Sequence, residues 1–485
     1  MQFNNPTKKM KTKNMTTLPC VVGLGRSHDT IENPPRVTRP HLPPVSMSSD
    51  YLGRQQARES NARTYSRRLP FTIAKARGCF ITDVDGRVFL DCLAGAGTLA
   101  LGHNHPVVVE AIRAHLAAEL PLQTLDLGSP LRDEFIRELF ASLPPELARD
   151  ARIQFCGPTG SDGIEAAIKL VKIATGRSAM VAFRGAYHGH TNGSLSLMGN
   201  IAPKGVANLM AGVHFMPFPS AYRCPLGLRP CTDCRCAAFL ETALTDPEGG
   251  IPKAAGVVME IVQGESGSNP APDDFVREVR RVTREQEIPL IVDEVQSGWG
   301  RTGKLYAIEH SGVVPDLLVL SKALGGGLPL TVLIYHKRFD VWQPGAHAGT
   351  FRGNLLAMST GLATLRFIQQ NNIPAHAAEM GARLRGHLSE IQKKHAFIGH
   401  LRGLALMLGA KIVDPEKLDR DGVPVPDPGR AARIQQEAFK RNLIIELGGR
   451  GGSVLRFLPP LIVGESEIDQ IAEGIAAACV AVGEG

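Results

Sequence analysis

Cysteine, long apolar runs and charge of one sign are all scarce in this chain. Nine cysteines in 485 residues do not make a disulfide scaffold, so reduced thiols are expected. No apolar run reaches the roughly 20 residues that a membrane-spanning helix needs, and no secretory apolar region follows the basic N-terminus. These absences point to a soluble, unsecreted, cytoplasmic protein with no membrane partner. The formal charge of +7 sits mostly in one place. Residues 1–49 hold seven Lys/Arg against two acids, and the other 47 Lys/Arg face 45 acids. A body so close to neutral has no basic face calling for nucleic acid. There is no internal repeat either. What is present is bulk: 485 residues, 43% of them hydrophobic, are enough for a large core and two domains.

Residues 1–46 carry four lysines and a proline-rich run without apolar periodicity, which reads as a disordered extension. Residues 71–91 alternate around Asp85-Gly86, the signal of a hairpin. Apolar spacing predicts helices over 107–120 and 130–142. From residue 152 the pattern becomes strand (152–155), turn (156–162), helix (163–174), strand (179–183), then strand (255–261) and helix (273–287). That alternation argues for an α/β fold with a mostly parallel sheet and helices on both faces. Beyond residue 354 come a helix, short strands at 404–412 and 453–457, and a last helix. The expected division is a small-domain segment at 47–105, a large domain at 106–353 and a smaller α+β domain at 354–485, completed by the N-terminal segment.

The stretch 289–329 holds the centre of the argument. Two short branched runs, 289–292 and 317–320, read as buried parallel strands. One leads to Asp293 and the other to Ser321-Lys322. Chemistry in an open α/β sheet gathers at the carboxyl ends of its strands, so a carboxylate and an amine should share one rim. That pair suits pyridoxal 5'-phosphate. A lysine bonds to its aldehyde, and an aspartate keeps the ring nitrogen protonated so that the ring accepts electrons. Thr159-Gly160-Ser161, between a strand and a helix, offers amides and hydroxyls to an anion, although capping by Ser161 or Asp162 explains it locally as well. It is not a Walker loop, because the lysine is missing.

Asp293-Glu294-Val295-Gln296, Gly300-Arg301-Thr302-Gly303 and Ser321-Lys322-Ala323-Leu324-Gly325-Gly326-Gly327, at these spacings, resemble the signature of the class III, fold-type I, PLP-dependent aminotransferases. The resemblance runs from about residue 50 to the C-terminus. It implies a fold-type I large domain and a pyridoxal phosphate cofactor. It implies Lys322 as the cofactor-bonded lysine and proton shuttle, and Asp293 as partner of the pyridine nitrogen. Val295 backs the ring and Gln296 neighbours its hydroxyl. Tyr187 covers the other face with His188 beside it, and Thr159, Gly160 and Ser161 take the phosphate. Thr350, in Gly349-Thr350-Phe351-Arg352-Gly353-Asn354, is implied to reach the other subunit's cofactor phosphate, hence a homodimer with shared sites. Glu265 and Arg456, which alone read as surface charges, are implied to pair. The arginine then holds a substrate carboxylate bidentately, and the glutamate takes its place when the donor needs no such grip.

The wording Tyr222-Arg223-Cys224-Pro225, Leu120-Pro121-Leu122-Gln123-Thr124-Leu125-Asp126 and Gly349–Asn354 is similar to the diaminobutyrate–2-oxoglutarate branch of that family. The implied reaction moves the 4-amino group between a diamine donor and a 2-oxo acid. Relatives acting on 4-aminobutyrate or ornithine have an arginine where this chain has His190, which argues against those two substrates. Two other readings stay open: another terminal-amine transferase or aminomutase on the same scaffold, and a non-catalytic binding protein. The cluster Cys224, Cys231, Cys234 and Cys236 lacks paired two-residue knuckles, so solvated loop thiols are expected there and no metal.

Overall fold

The computed structural model describes residues 48–206, 208–228 and 235–483. The extension read as disordered at 1–46, together with Cys231 and Cys234, lies outside the described residues. A seven-stranded sheet forms the centre. Its strands lie in the order Ala151–Phe155, Val332–His336, Leu317–Leu320, Leu290–Asp293, Gly256–Glu260, Met180–Phe183 and Val213–Met216. Neighbours pair parallel throughout, except that Val332–His336 runs antiparallel to both of its neighbours.

The sheet is buried on both faces, which is why its strands read as unbroken apolar runs rather than alternating ones. Leu290, Val292, Leu318 and Leu320 belong to one core cluster. Ile291, Leu317 and Val319 belong to the other. Helix Asp273–Glu285 covers the first face with Phe275, Val276 and Val279. Helix Gly160–Thr175 covers the second with Ile164, Ala167, Ile168 and Val171. This second helix lies so close that a Cβ on Gly163 would stand 2.7 Å from Val319 Cγ1 and 2.8 Å from Thr331 Cγ2. Only glycine allows that approach.

Two smaller sheets flank the large one. Ile73–Arg77, Phe80–Asp83 and Val88–Asp91 form an antiparallel meander, joined on its far edge by Leu443–Ile444 in parallel register with Val88–Asp91. The predicted single hairpin at 71–91 is therefore three strands, because Gly78 adopts a left-handed backbone (φ +56°) and turns the chain once more. The other sheet contains Ile398–Leu404, Met407–Leu418, Val454–Phe457 and Glu446–Gly448. The strand expected at 404–412 is corrected likewise. A tight turn at Ala405 (φ +45°) splits the apolar run between two antiparallel strands. Among the described residues no helix is long and apolar enough to cross a membrane.

Candidate active site

The site grows from the carboxyl ends of three adjacent parallel strands. Asp293 ends Leu290–Asp293 and lies in register with Glu260 at the end of Gly256–Glu260. Two buried carboxylates side by side repel, and each has its own remedy. Asp293 Oδ2 lies 2.7 Å from His188 Nδ1, and its Oδ1 accepts the Val295 N–H at 3.0 Å. Glu260 accepts the Tyr187 N–H at 3.0 Å and the Gly264 N–H at 3.1 Å. Burial pulls the His188 imidazole down, but its hydrogen bond to Asp293 and the Asp293 and Glu260 charges outweigh this and raise it. Burial, opposed by His188 and helped by Asp293, pushes Glu260 up. The arrangement thus favours a proton on His188.

Lys322 follows the next strand, Leu317–Leu320. Its backbone is left-handed (φ +49°), a conformation costing a β-carbon-bearing residue about 1 kcal/mol or more. The surroundings fix it. The Ser321 hydroxyl donates to Leu330 O at 3.0 Å and meets the Thr331 hydroxyl at 2.7 Å. Gly326 (φ +60°) then turns against the helix Leu355–Gln370, where a Cβ would meet Thr360 O at 2.7 Å. Among the described residues the Lys322 amine has no hydrogen-bond or ion-pair partner. Burial drives its pKa down and Arg456 helps, against Glu265, Asp293 and Glu446, which push it up. A depressed amine is the form that can take a proton or attack a carbonyl.

Thr159-Gly160-Ser161 opens a helix three residues earlier than its apolar spacing predicts. The helix begins at Gly160, with Thr159 as an N-cap whose side chain makes no cap bond. The Asp162 N–H donates to Thr159 O at 3.0 Å, which leaves the Gly160 and Ser161 N–H groups without partners among the described residues. Asp162 does not cap the helix. Its carboxylate accepts the Gly157 N–H and lies 3.1 Å from His347 Nε2. A Cβ on Gly160 would stand 2.8 Å from both methyls of Val295. A Cβ on Gly189 would stand 1.8 Å from Ser161 Oγ. Free amides, unused hydroxyls and two close glycines make a cradle for a phosphate dianion beside Val295. With Asp293 and Lys322 at the same rim, the donor set fits pyridoxal phosphate.

Arg456 is fully buried and anchors the other side. Its Nη1 reaches Glu265 Oε1 at 2.8 Å and Glu446 Oε2 at 2.9 Å, and its Nη2 reaches Gln296 Oε1 at 2.8 Å. Gln296 also donates to Ala96 O at 2.9 Å. Glu446 receives the Tyr65 hydroxyl at 2.8 Å. Glu446 and Glu260 are absent from the residues singled out by sequence. Both are acids inside apolar strands, and a charge in such a run is a legible signal. Tyr65 carries no comparable mark.

Other predicted residues fall elsewhere. Thr350 is exposed on the short Thr350–Gly353 turn and makes no bond to this cluster. Arg352 beside it pairs with Asp126 at 2.6 Å and reaches His347 O at 3.3 Å. Arg301 of the signature is buried and donates to the carbonyls of Leu406 (3.2 Å) and Pro459, which makes it a structural tie. Glu294 accepts the Ala307 and Ile308 N–H groups at 2.7 Å each and shapes the same loop. Cys236, expected to be a solvated loop thiol, is buried on helix Arg235–Thr245, because its neighbours make an amphipathic turn there.

A mostly parallel sheet with such a rim defines a fold-type I transferase, the class in which a lysine and an aspartate work on a pyridoxal ring. Comparison narrows the class. The pattern of the class III aminotransferases matches residues 61–479, and the chain belongs to that family. It is 56% identical over 431 residues to the diaminobutyrate–2-oxoglutarate aminotransferase of Rhizobium meliloti (strain 1021), covering 88% of this chain and 92% of that one. Identity to the Haemophilus influenzae (strain ATCC 51907 / DSM 11121 / KW20 / Rd) aminotransferase with the same designation is 47% over 429 residues, covering 88% and 94%. Among solved structures, the PLP-bound form of an amine transaminase from an uncultivated Pseudomonas species superposes with a TM-score of 0.77. Its sequence is 28% identical, and the match covers 87% of this chain and 98% of that one.

Proposed function

We propose that this aminotransferase moves the 4-amino group between L-2,4-diaminobutyrate and 2-oxoglutarate, reversibly, giving L-aspartate 4-semialdehyde and L-glutamate. The designations of the two close relatives support the donor. The observation that carries the reading is Arg456 with its paired carboxylates, a site for the carboxylate of 2-oxoglutarate or glutamate. Bound pyridoxal phosphate would supply an electron sink for the carbon that carries the amino group. Thr159, Gly160 and Ser161 would hold its phosphate, Tyr187 and Val295 its ring faces, and Gln296 would lie near the ring hydroxyl. Asp293, steadied by His188, would keep the ring nitrogen protonated. Lys322 Nζ would carry the proton between substrate carbon and cofactor, a task suited to an amine held below its usual pKa.

We read the protein as a cytoplasmic homodimer in which Thr350 completes the partner's site. Support comes from an apolar patch beside it. Leu125 (47% exposed), Leu127 (68%) and Phe351 (60%) lie on two strands of chain joined by the Thr124 N–H to Gly353 O bond at 3.0 Å. Such a patch is what an interface between copies buries. We also place the small domain at 47–105 plus 354–485 around a large domain at 106–353. The pairing of Leu443–Ile444 with Val88–Asp91 supports that grouping.

A glutamate-forming assay with 2-oxoglutarate and a panel of terminal amines tests the donor. Diaminobutyrate should be preferred over ornithine and 4-aminobutyrate, and equal rates with all three would defeat the assignment. Turnover without any 2-oxo acid would instead favour an aminomutase. Borohydride reduction with peptide mapping should find a pyridoxyl adduct on Lys322, and a protein that stays colourless with the vitamin supplied would be a binding protein.

A further inference from the structure

A second concentration of positive charge lies away from Lys322, Asp293 and Arg456. A cavity of about 200 Å³ opens between the turn after residue 263 and the sheet containing Met407–Leu418. Arg184, Arg223, Arg402, Lys411 and Arg450 all line it, and among the described residues no carboxylate does. Among the described residues, only Arg223 of these five has an acidic partner, Asp419. Arg402 gives its Nε to Gly267 O at 2.7 Å and its Nη2 to Ser266 O at 2.9 Å, and its Nη1 makes no bond among the described residues. Arg184 and Arg450 are exposed at the mouth, and their side chains form no ion pair among the described residues.

Lys411 is the telling member. It is 6% exposed, and among the described residues its amine donates only to the Ser453 hydroxyl, at 2.5 Å. A buried cation without a counter-charge is costly, and proteins normally pair it. Burial and then the charges of Arg402, Arg223 and Arg450 pull this amine down to about 7. Burial and Arg450 pull Arg402 down to about 10. Among the described residues the pocket is thus lined by cationic donors with no carboxylate beside them. Its size is below the roughly 300–1,000 Å³ of drug-sized sites, so it suits something small.

We propose that this pocket is a second anion site, which binds a small multivalent oxyanion, a phosphate or a compact polycarboxylate, between Lys411, Arg402 and Arg450. It uses none of the groups assigned to amino transfer.

The test is calorimetric titration of the full-length, PLP-loaded protein with sodium phosphate and, separately, with citrate, at constant ionic strength set by chloride. Cofactor loading keeps phosphate out of the Thr159–Ser161 cradle. One site per chain is expected, and the tighter of the two titrants identifies the acid group. Lys411→Met should weaken that site about tenfold and Arg450→Ala several-fold, with the cofactor absorbance unchanged. Arg450 is exposed, so its replacement reports even if Lys411→Met does not fold. Heats no larger than those of chloride, or binding equal to wild type in the variants, would overturn the proposal.

Discussion

The Glu265 carboxylate, 39% exposed, lies 2.8 Å from Nη1 of Arg456, which is itself completely buried. The same nitrogen is 2.9 Å from Glu446, whose side chain is 6% exposed. One carboxylate is therefore built in and the other can swing out. On the proposed reading, a substrate carboxylate arriving at Arg456 displaces Glu265 from Nη1 and meets Gln296 at Nη2, while Glu446 keeps the arginine from becoming an unpaired buried charge. Glu265→Gln removes the competitor's charge and keeps its shape. The KM for 2-oxoglutarate should fall or hold. The kcat/KM for the diamine should drop about tenfold, since Glu446 alone then balances Arg456 during that half-reaction. Half-reactions followed separately by cofactor absorbance would separate the two. Equal losses in both would show that Glu265 only supports the fold.

Asp293 and His188 set the second expectation. Asp293→Asn leaves an oxygen to accept the Val295 N–H but removes the charge that holds a proton on the imidazole. Turnover should fall by about 10²- to 10⁴-fold, the range for a group acting on protons in the transition state. The sign for stability follows from His188 being raised despite burial. The stabilisation from that pair is complete below the unfolded imidazole pKa and fades as pH rises through the folded one. The variant's melting temperature should therefore trail that of wild type most at acid pH. A constant gap across pH would mean that the pair does not titrate.

Gly160 gives a steric prediction. A Cβ there would press on both Val295 methyls at 2.8 Å, so Gly160→Ala must displace Val295 or the helix start. Cofactor retention should weaken about tenfold or more, the effect of 1–3 kcal/mol of overpacking. Gly386, in the helix Ile373–Lys394, has nothing within 4 Å of a built Cβ and serves as control. Gly386→Ala should stabilise by about 1 kcal/mol through helix propensity. Dialysis against cysteine with cofactor absorbance measures the first, and thermal melting the second.

Much of this was legible in the sequence, and the reason is physical. Strands buried on both faces have no polar alternation to blur them, so Leu317–Leu320 and Leu290–Asp293 read directly, and Asp293 and Lys322 come with them. Short-range patterns served less well where conformation overrode composition. Gly160 begins a helix because Thr159 and Ser161 need not cap it, and Ala405 turns a strand that its neighbours' apolarity extends. Contacts between distant segments left no local trace. Tyr65 and Glu446 stand 381 residues apart and meet only after the chain has folded. The cluster at Lys411 was invisible for the same reason, because its five cations come from four separate stretches of chain.

That cluster makes a last prediction, about pH. In the folded chain the Lys411 amine sits near 7, and in the unfolded chain it returns to about 10.4. Between those values the unfolded state binds a proton that the folded state does not, so this group makes stability rise with pH from about 7 upward. Below 7 both states hold the proton, and the folded state then carries an extra cation facing Arg402, Arg223 and Arg450 over Ser453. Lys411→Met removes this dependence. The melting temperature of wild type relative to the variant should therefore climb between pH 7 and about 9. Added phosphate should flatten the climb by stabilising the charged amine at every pH in that window. Parallel curves for the two proteins would mean that Lys411 keeps an ordinary pKa, and that the pocket's charge is balanced by water alone.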